Sequence, residues 1–132
     1  MFCWPGDGRA ECRAAAGDGT SARLKFAEIY LPDTAFGFEY SPEIFMDTEL
    51  DFSLEICEAV MDAWQPTAER EIVPNLPCTG ERSTPNAYAD QIEYMSSSLT
   101  RREKTCLPGH THNDRATSNA EPTRAVITGA QR

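Results

Sequence analysis

Apolar positions recur along the middle of the chain with the period of a helix. Leu50, Leu54, Cys57, Met61 and Trp64 follow one another at steps of four, three, four and three, which is one stripe on a helix. Thr48 and Asp51 stand ahead of that stripe at capping-box spacing, with Asp in place of the usual Glu, and Pro66 lies just beyond its end. Tyr88, Ile92, Met95 and Leu99 form a second stripe at steps of four, three and four. Thr84 is its expected N-cap, and Pro85 takes the first helical position, where a missing N–H costs nothing. A shorter helix is expected over 21–30, with Leu24, Ala27 and Phe26 inward. Another is expected over 121–130, with Pro122 in its first turn and Val126, Ile127 and Ala130 inward.

Between these helices lie short runs rich in β-branched and aromatic residues. Strands are expected over 35–40, 71–76 and 104–107, the second carrying Pro74, which cannot donate to a ladder. Strands alternating with amphipathic helices imply parallel pairing through right-handed crossovers. The fold class is therefore α/β, and the order of elements fits about three βα units. Doubly wound sheets and (β/α)8 barrels share that order. Residues 1–20, rich in Gly, Ala, Asp and Arg, show no period and read as a poorly structured lead to a domain over 21–132. The two Gly-Asp-Gly triplets there, starting at Gly6 and Gly17, read as turn chemistry.

Charge narrows the function. The 132 residues carry a net charge of −9, and the basic residues are scattered apart from Arg101, Arg102 and Lys104. That cluster reads as a solvated face, so no nucleic-acid partner is expected. No apolar run approaches the roughly 20 residues needed to cross a bilayer, and no membrane role is expected. The five cysteines are widely spaced with no Cys-x-x-Cys pair, and the first ten residues lack the pattern of a secretory leader. Reduced thiols in a cytoplasmic protein are the resulting expectation.

Candidate chemistry gathers at the ends of the expected strands. His110 and His112 are the only histidines. Two residues apart on an extended segment, their side chains point to the same side, where two imidazoles can hold one divalent metal. The spacing alone also suits two ordinary surface histidines on a loop. Ser41 and Glu43 follow the first strand and Thr79 the second, and parallel α/β folds collect their working residues at such strand ends. Three successive strand ends with polar groups favour a site. Cys78 beside Thr79 reads as an inert thiol, and no phosphate-binding glycine loop occurs.

Four segments carry a resemblance. FEYSPE at 38–43, TELDFSLEICEAVMDAWQPT at 48–67, NLPCTGERSTPNAYADQIEY at 75–94 and HTHND at 110–114 resemble the α-isopropylmalate synthase family, within the HMG-CoA-lyase-like acyltransferases. The likeness runs from about 31 to about 117. It implies a partial TIM (β/α)8 barrel and a metal-dependent acyltransferase of leucine synthesis. The reaction it implies joins acetyl-CoA to 3-methyl-2-oxobutanoate, giving 2-isopropylmalate and CoA. It further implies that His110 and His112 bind the divalent cation (Mg, Mn or Zn), that Ser41, Glu43 and Thr79 line the keto-acid pocket, and that Glu43 has a catalytic role. A homodimer is implied for the full-length family.

Some family features have no counterpart here. The Arg-Asp-Gly segment of the first barrel strand, the glycine-rich segment after the last strands and the regulatory domain are absent, and Pro108, Gly109, Gly80 and Arg82 depart from the family pattern. The expectation is therefore a fragment without synthase activity of its own. The other class of reading is a non-catalytic chain that binds a metal weakly or pairs with another chain. A homocitrate synthase is disfavoured by the string NAYADQIEY.

Overall fold

The computed structural model describes residues 8–116. Helix α1 (Arg9–Tyr30) precedes strand β1 (Phe38–Tyr40), helix α2 (Leu50–Trp64), strands β2 (Ile72–Pro74) and β3 (Leu76–Cys78), helix α3 (Pro85–Ser98) and strand β4 (Gly109–Thr111). β1 pairs in parallel with β2, and β3 with β4. Only Asn75 separates β2 from β3, and its N–H donates to the Tyr40 carbonyl at 2.8 Å. β2 and β3 thus act as one middle strand, flanked by β1 near its start and by β4 near its end. The chain forms an arc of three parallel strands joined through α2 and α3.

Both strong stripes of the sequence form the helices they predict. Thr84 caps α3 by accepting from the Ala87 N–H, with Pro85 following it. Tyr88, Ile92, Met95 and Leu99 are all buried. On α2 the buried set is Phe52, Ser53, Ile56, Cys57, Val60, Met61 and Trp64, while Leu50 and Leu54 are only partly buried. The buried face is wider than one stripe because α2 packs on the strands on one side and on α1 on the other. The capping box does not form. Glu49 is the N-cap without a side-chain bond, and the Thr48 hydroxyl donates instead to the Ile44 carbonyl at 3.0 Å. At its other end α2 closes on Gln65 in a left-handed conformation (φ 53°), whose N–H reaches the Met61 carbonyl. Arg70 then supplies a cation to this terminus: it bonds the Trp64 carbonyl at 3.0 Å and lies 4.8 Å from the Trp64 ring centroid.

Three expectations are corrected. Residues 9–20 are not an unstructured lead but belong to α1, a helix of 22 residues that includes the Gly17-Asp18-Gly19 triplet. Its inner stripe runs Cys12, Ala16, Thr20 and Leu24, and beside it a Cβ placed on Gly17 would meet the Ala59 carbonyl at 3.7 Å. Small residues let α1 and α2 approach closely, and their weak hydrophobicity hides the period. The expected inward Phe26 is exposed, and its ring packs against that of Tyr30 at a tilt, centroids 4.5 Å apart.

The second correction concerns the third strand. Residues 102–104 form a 3-10 turn, Thr105 makes one bridge to Ile72, and paired strand resumes only at Gly109. Pro74 and Pro108 lie between the two pairing points, and neither has an N–H to give. The third concerns the thiols. Cys57, Cys78 and Cys106 are not in disulfides, but Cys12 is disulfide-bonded. Sequence spacing carries no information on which thiols meet. The helix expected over 121–130 lies outside the described residues.

The core lies between the strands and the two helices that follow them. Trp64, Met61 and Cys57 of α2 and Tyr88, Ile92 and Met95 of α3 cover Ile72, Leu76 and Leu107. Phe38 stacks on Trp64 with ring centroids 5.0 Å apart. The Tyr88 hydroxyl donates to the Leu76 carbonyl at 2.7 Å, which fixes α3 against the middle strand.

Candidate functional site

The carboxyl ends of the strands carry the polar groups. Ser41 directly follows β1 and is half-buried; Thr79 directly follows β3 and is half-buried. His110 lies within β4, opposite Pro77, and not beyond the strand end as expected. His112 follows one residue after β4, and the two imidazoles stack with centroids 5.3 Å apart. The alternation of an extended chain has placed them on one side. His112 Nδ1 stands 3.7 Å from a carboxylate oxygen of Asp114.

One residue ties these strand ends together. Asn75, between β2 and β3, is 8% exposed. Its Nδ2 lies 3.0 Å from Glu39 Oε1, 2.9 Å from Ser41 Oγ and 3.0 Å from His110 Nδ1. Ser41 and His110, far apart in the chain, are thereby joined through a single amide. Asn75 and Glu39 were not among the residues the sequence singled out. The available signal was an amide side chain inside an otherwise apolar strand, where a polar group needs partners. Glu43 is exposed, and neither Glu43 nor Thr79 bonds to the Asn75 amide.

The loops after the strands hold unusual backbone. Four non-glycine residues have positive φ among the described residues: Ile44, Gln65, Glu81 and Ala116. Three of them follow β1, β3 and β4 respectively, and for the β-branched Ile44 (φ 61°) the conformation is strained. Glu81, fully buried, accepts the Arg115 backbone N–H and so links the loop after β3 to the loop after β4.

Two groups beneath the site resist ionisation. Burial pushes the Cys57 thiol up to about 12, with the Glu58 carboxylate adding to the effect. Burial likewise raises the Tyr40 phenol to about 12, with Cys57 as the smaller cause. Neither group is a nucleophile or base near neutral pH. Cys78 is fully buried, in keeping with an inert thiol.

A family model described as HMGL-like matches residues 13–132. The chain belongs to the HMGL-like family. The described strands are thus an arc of this family's (β/α)8 barrel, and the site lies on the barrel face where the strands end. A similar relative is the 2-isopropylmalate synthase of Thermobifida fusca, 61% identical over 128 residues, which are 96% of this chain and 22% of that protein. The 2-isopropylmalate synthase of Streptosporangium roseum is 55% identical over 127 residues, again 96% of this chain and 22% of that protein. The protein of that name from Schizosaccharomyces pombe is 53% identical over 100 residues, covering 76% of this chain and 17% of its own length. This HMGL-like chain therefore spans about a fifth of the length of the curated relatives it matches.

Catalytic zinc sites usually take three protein ligands and keep a position open. The stacked pair His110 and His112 suits two of these, being on one side and accessible at the strand end. Among the described residues no group of three or more His, Cys, Asp and Glu side chains is placed to hold a metal ion. The residues present fit part of a metal site and leave its third ligand unprovided within 8–116. No helix among the described residues is long and apolar enough to cross a membrane.

Proposed function

We propose that this chain is part of the catalytic barrel of a 2-isopropylmalate synthase, the part that contacts the keto acid and the metal. The observation that carries the reading is the 61% identity over 96% of the chain to an enzyme of that name. The reaction would join the acetyl group of acetyl-CoA to 3-methyl-2-oxobutanoate and release CoA, in leucine biosynthesis. The working protein would be a cytoplasmic homodimer, in keeping with a biosynthetic role.

Each site residue has a role in that reading. His110 and His112 would supply two imidazole ligands to a divalent cation, Mg, Mn or Zn. When bound, that cation would act as a Lewis acid on the keto-acid oxygens. The hydroxyls of Ser41 and Thr79, half-buried at neighbouring strand ends, would donate hydrogen bonds to the substrate carboxylate. Glu43, exposed beside the strained Ile44, would order the substrate-facing loop and serve as its catalytic carboxylate.

A second reading is favoured by one observation. The incomplete ligand set within the described residues suits a chain that binds metal without turning over substrate. Titration of the purified chain with Zn²⁺ or Mn²⁺ by calorimetry, beside a His110→Ala/His112→Ala variant, tests the site. The expected result is micromolar binding that the variant loses; equal binding by both would overturn the metal assignment. Release of CoA that depends on both substrates separates the two readings. Its absence from the chain alone is expected, and its appearance would remove the second reading.

A further inference from the structure

The turn that follows β3 buries a carboxylate. Thr79–Glu81 form a 3-10 turn broken by Gly80 at φ 64°, and Glu81 itself stands at φ 47°. Two successive residues in the left-handed region reverse the chain, and a non-glycine residue keeps such a conformation only where its surroundings hold it. Glu81 is fully buried, and a carboxylate there needs donors. The backbone N–H of Arg115, in the loop after β4, is one of them. Arg82, the next residue, reaches the other way, to Asp47 in the turn after β1 at 3.0 Å. That pair is exposed and contributes little, whereas a buried carboxylate on a backbone N–H is a strong hold.

We propose that Glu81 is a positioning residue of the strand-end site, holding the loop after β4 so that Asp114 stays beside the His112 imidazole. Arg115 directly follows Asp114, and Asp114 Oδ2 lies 3.7 Å from His112 Nδ1. The Asp114 carboxylate is exposed and its contact is longer than a hydrogen bond, so by itself it fixes little. Anchoring the N–H of the next residue gives that loop a fixed end. A carboxylate on the Nδ1 side of an imidazole favours a hydrogen there and leaves the Nε2 lone pair for a cation. This role rests on the reading of His112 as a ligand, whereas the tie between the two loops rests on the buried carboxylate. Glu81 acts through Asp114 and touches no reacting atom. The same anchor keeps Thr79, two residues before Glu81, and His112, three before Arg115, on loops that are joined.

Two neutral variants of like shape test this. Glu81→Gln keeps an acceptor oxygen for the Arg115 N–H, and Glu81→Met fills the same space without one. Exchange of backbone amides with water, followed by NMR on the whole chain, is expected to be slow at Arg115 in the wild type and in Glu81→Gln. In Glu81→Met it should be faster by about tenfold. Nitrogen-15 relaxation should show residues 112–115 loosened in Glu81→Met alone. A space-filling role would leave the two variants alike, so rescue by glutamine separates positioning from packing. Zn²⁺ calorimetry should follow the same order, with Glu81→Met about tenfold weaker than the wild type and Glu81→Gln close to it. The proposal is overturned if Arg115 exchanges freely in the wild type, if methionine serves as well as glutamine, or if the loop loosens while Zn²⁺ affinity stays unchanged. Loss of the fold in Glu81→Met overturns it too, since the carboxylate would then act on stability and not on the site. A wild type that binds no Zn²⁺, or binds it equally after His110→Ala/His112→Ala, strikes the ligand reading instead, and exchange and relaxation then decide the tie on their own.

Discussion

Replacing Tyr88 by Phe removes one oxygen from the centre of the protein and leaves the ring in place. Tyr88 and Leu76 are both 0% exposed, and the hydroxyl donates to the Leu76 carbonyl at 2.7 Å. The apolar contact of the ring with the core is conserved in the variant, so the loss is almost wholly that of the hydrogen bond. A typical intramolecular bond is worth about 1 kcal/mol net, and leaving a buried acceptor short of a partner adds a cost of about 1–3 kcal/mol. A ladder bond can still serve the carbonyl's second lone pair, which places the expectation near the lower end, at about 1.5 kcal/mol. A chain of this size loses about 1–1.5 kcal/mol of stability per molar urea, so the midpoint should fall by about 1 M with an unchanged slope. Urea unfolding followed by the fluorescence of Trp64, which is buried and stacked on Phe38, reads the shift. A midpoint unmoved within error would show that the hydroxyl contributes nothing, and the argument that it fixes α3 to the middle strand would fall. A changed slope would instead report a loosened native state.

Two further outcomes follow from the same structure. Arg70→Ala removes both the cation at the end of α2 and the guanidinium over Trp64, and should lower stability by about 1–2 kcal/mol in the same urea assay. Cys57 titrates at about 12 in the folded chain against an ordinary 9.0, so the stability from its neutral thiol is complete below pH 9 and is lost as pH rises toward 12. The fully developed loss is on the order of 4 kcal/mol, and Tyr40, raised for the same reason but partly exposed, adds a smaller loss in the same direction. Thermal melts at pH 7, 9 and 10.5 should show Cys57→Ala less stable at neutral pH but falling less steeply above pH 9; parallel curves for the two proteins would contradict this.

What could be read from the sequence depended on how loudly each residue signals. Tyr88, Ile92, Met95 and Leu99 are large and apolar, so their period survives, and Thr84 and Pro85 marked the start of α3 correctly. On the inner stripe of α1 the sequence pointed to Leu24, but the buried Thr20 and the partly buried Cys12 and Ala16 are small and weakly hydrophobic, and periodicity of hydrophobicity does not detect them. The paired segment of the third strand was misplaced because Cys106 and Leu107 look like a strand, while Pro108 and Pro74 withhold the bonds that would make them one. At the site, residue type and expected strand ends singled out Ser41, Glu43, Thr79, His110 and His112, and of these the structure brings Ser41 and His110 together around Asn75. Asn75 stood out less, because an amide is ordinary until its three neighbours are known, and all three lie on or beside other strands.

The distances along the chain between bonded side chains also bear on how the protein is made. Asn75 reaches back 36 residues to Glu39 and forward 35 to His110, Glu58 reaches forward 42 to Thr100, and Thr105 bonds the Met61 sulfur across 44. Each span is about one strand-helix unit. Contacts of that reach between parallel strands must first close a loop of a whole helix, so each unit is completed only after its crossover has been made. During synthesis β1, α2 and the middle strand can dock as soon as residue 78 has emerged, with Asn75 already bonded to Glu39 and Ser41. The third partner of that amide arrives only with residue 110. The constellation at the strand ends is therefore closed in chain order, and the last of its members to be captured is a histidine.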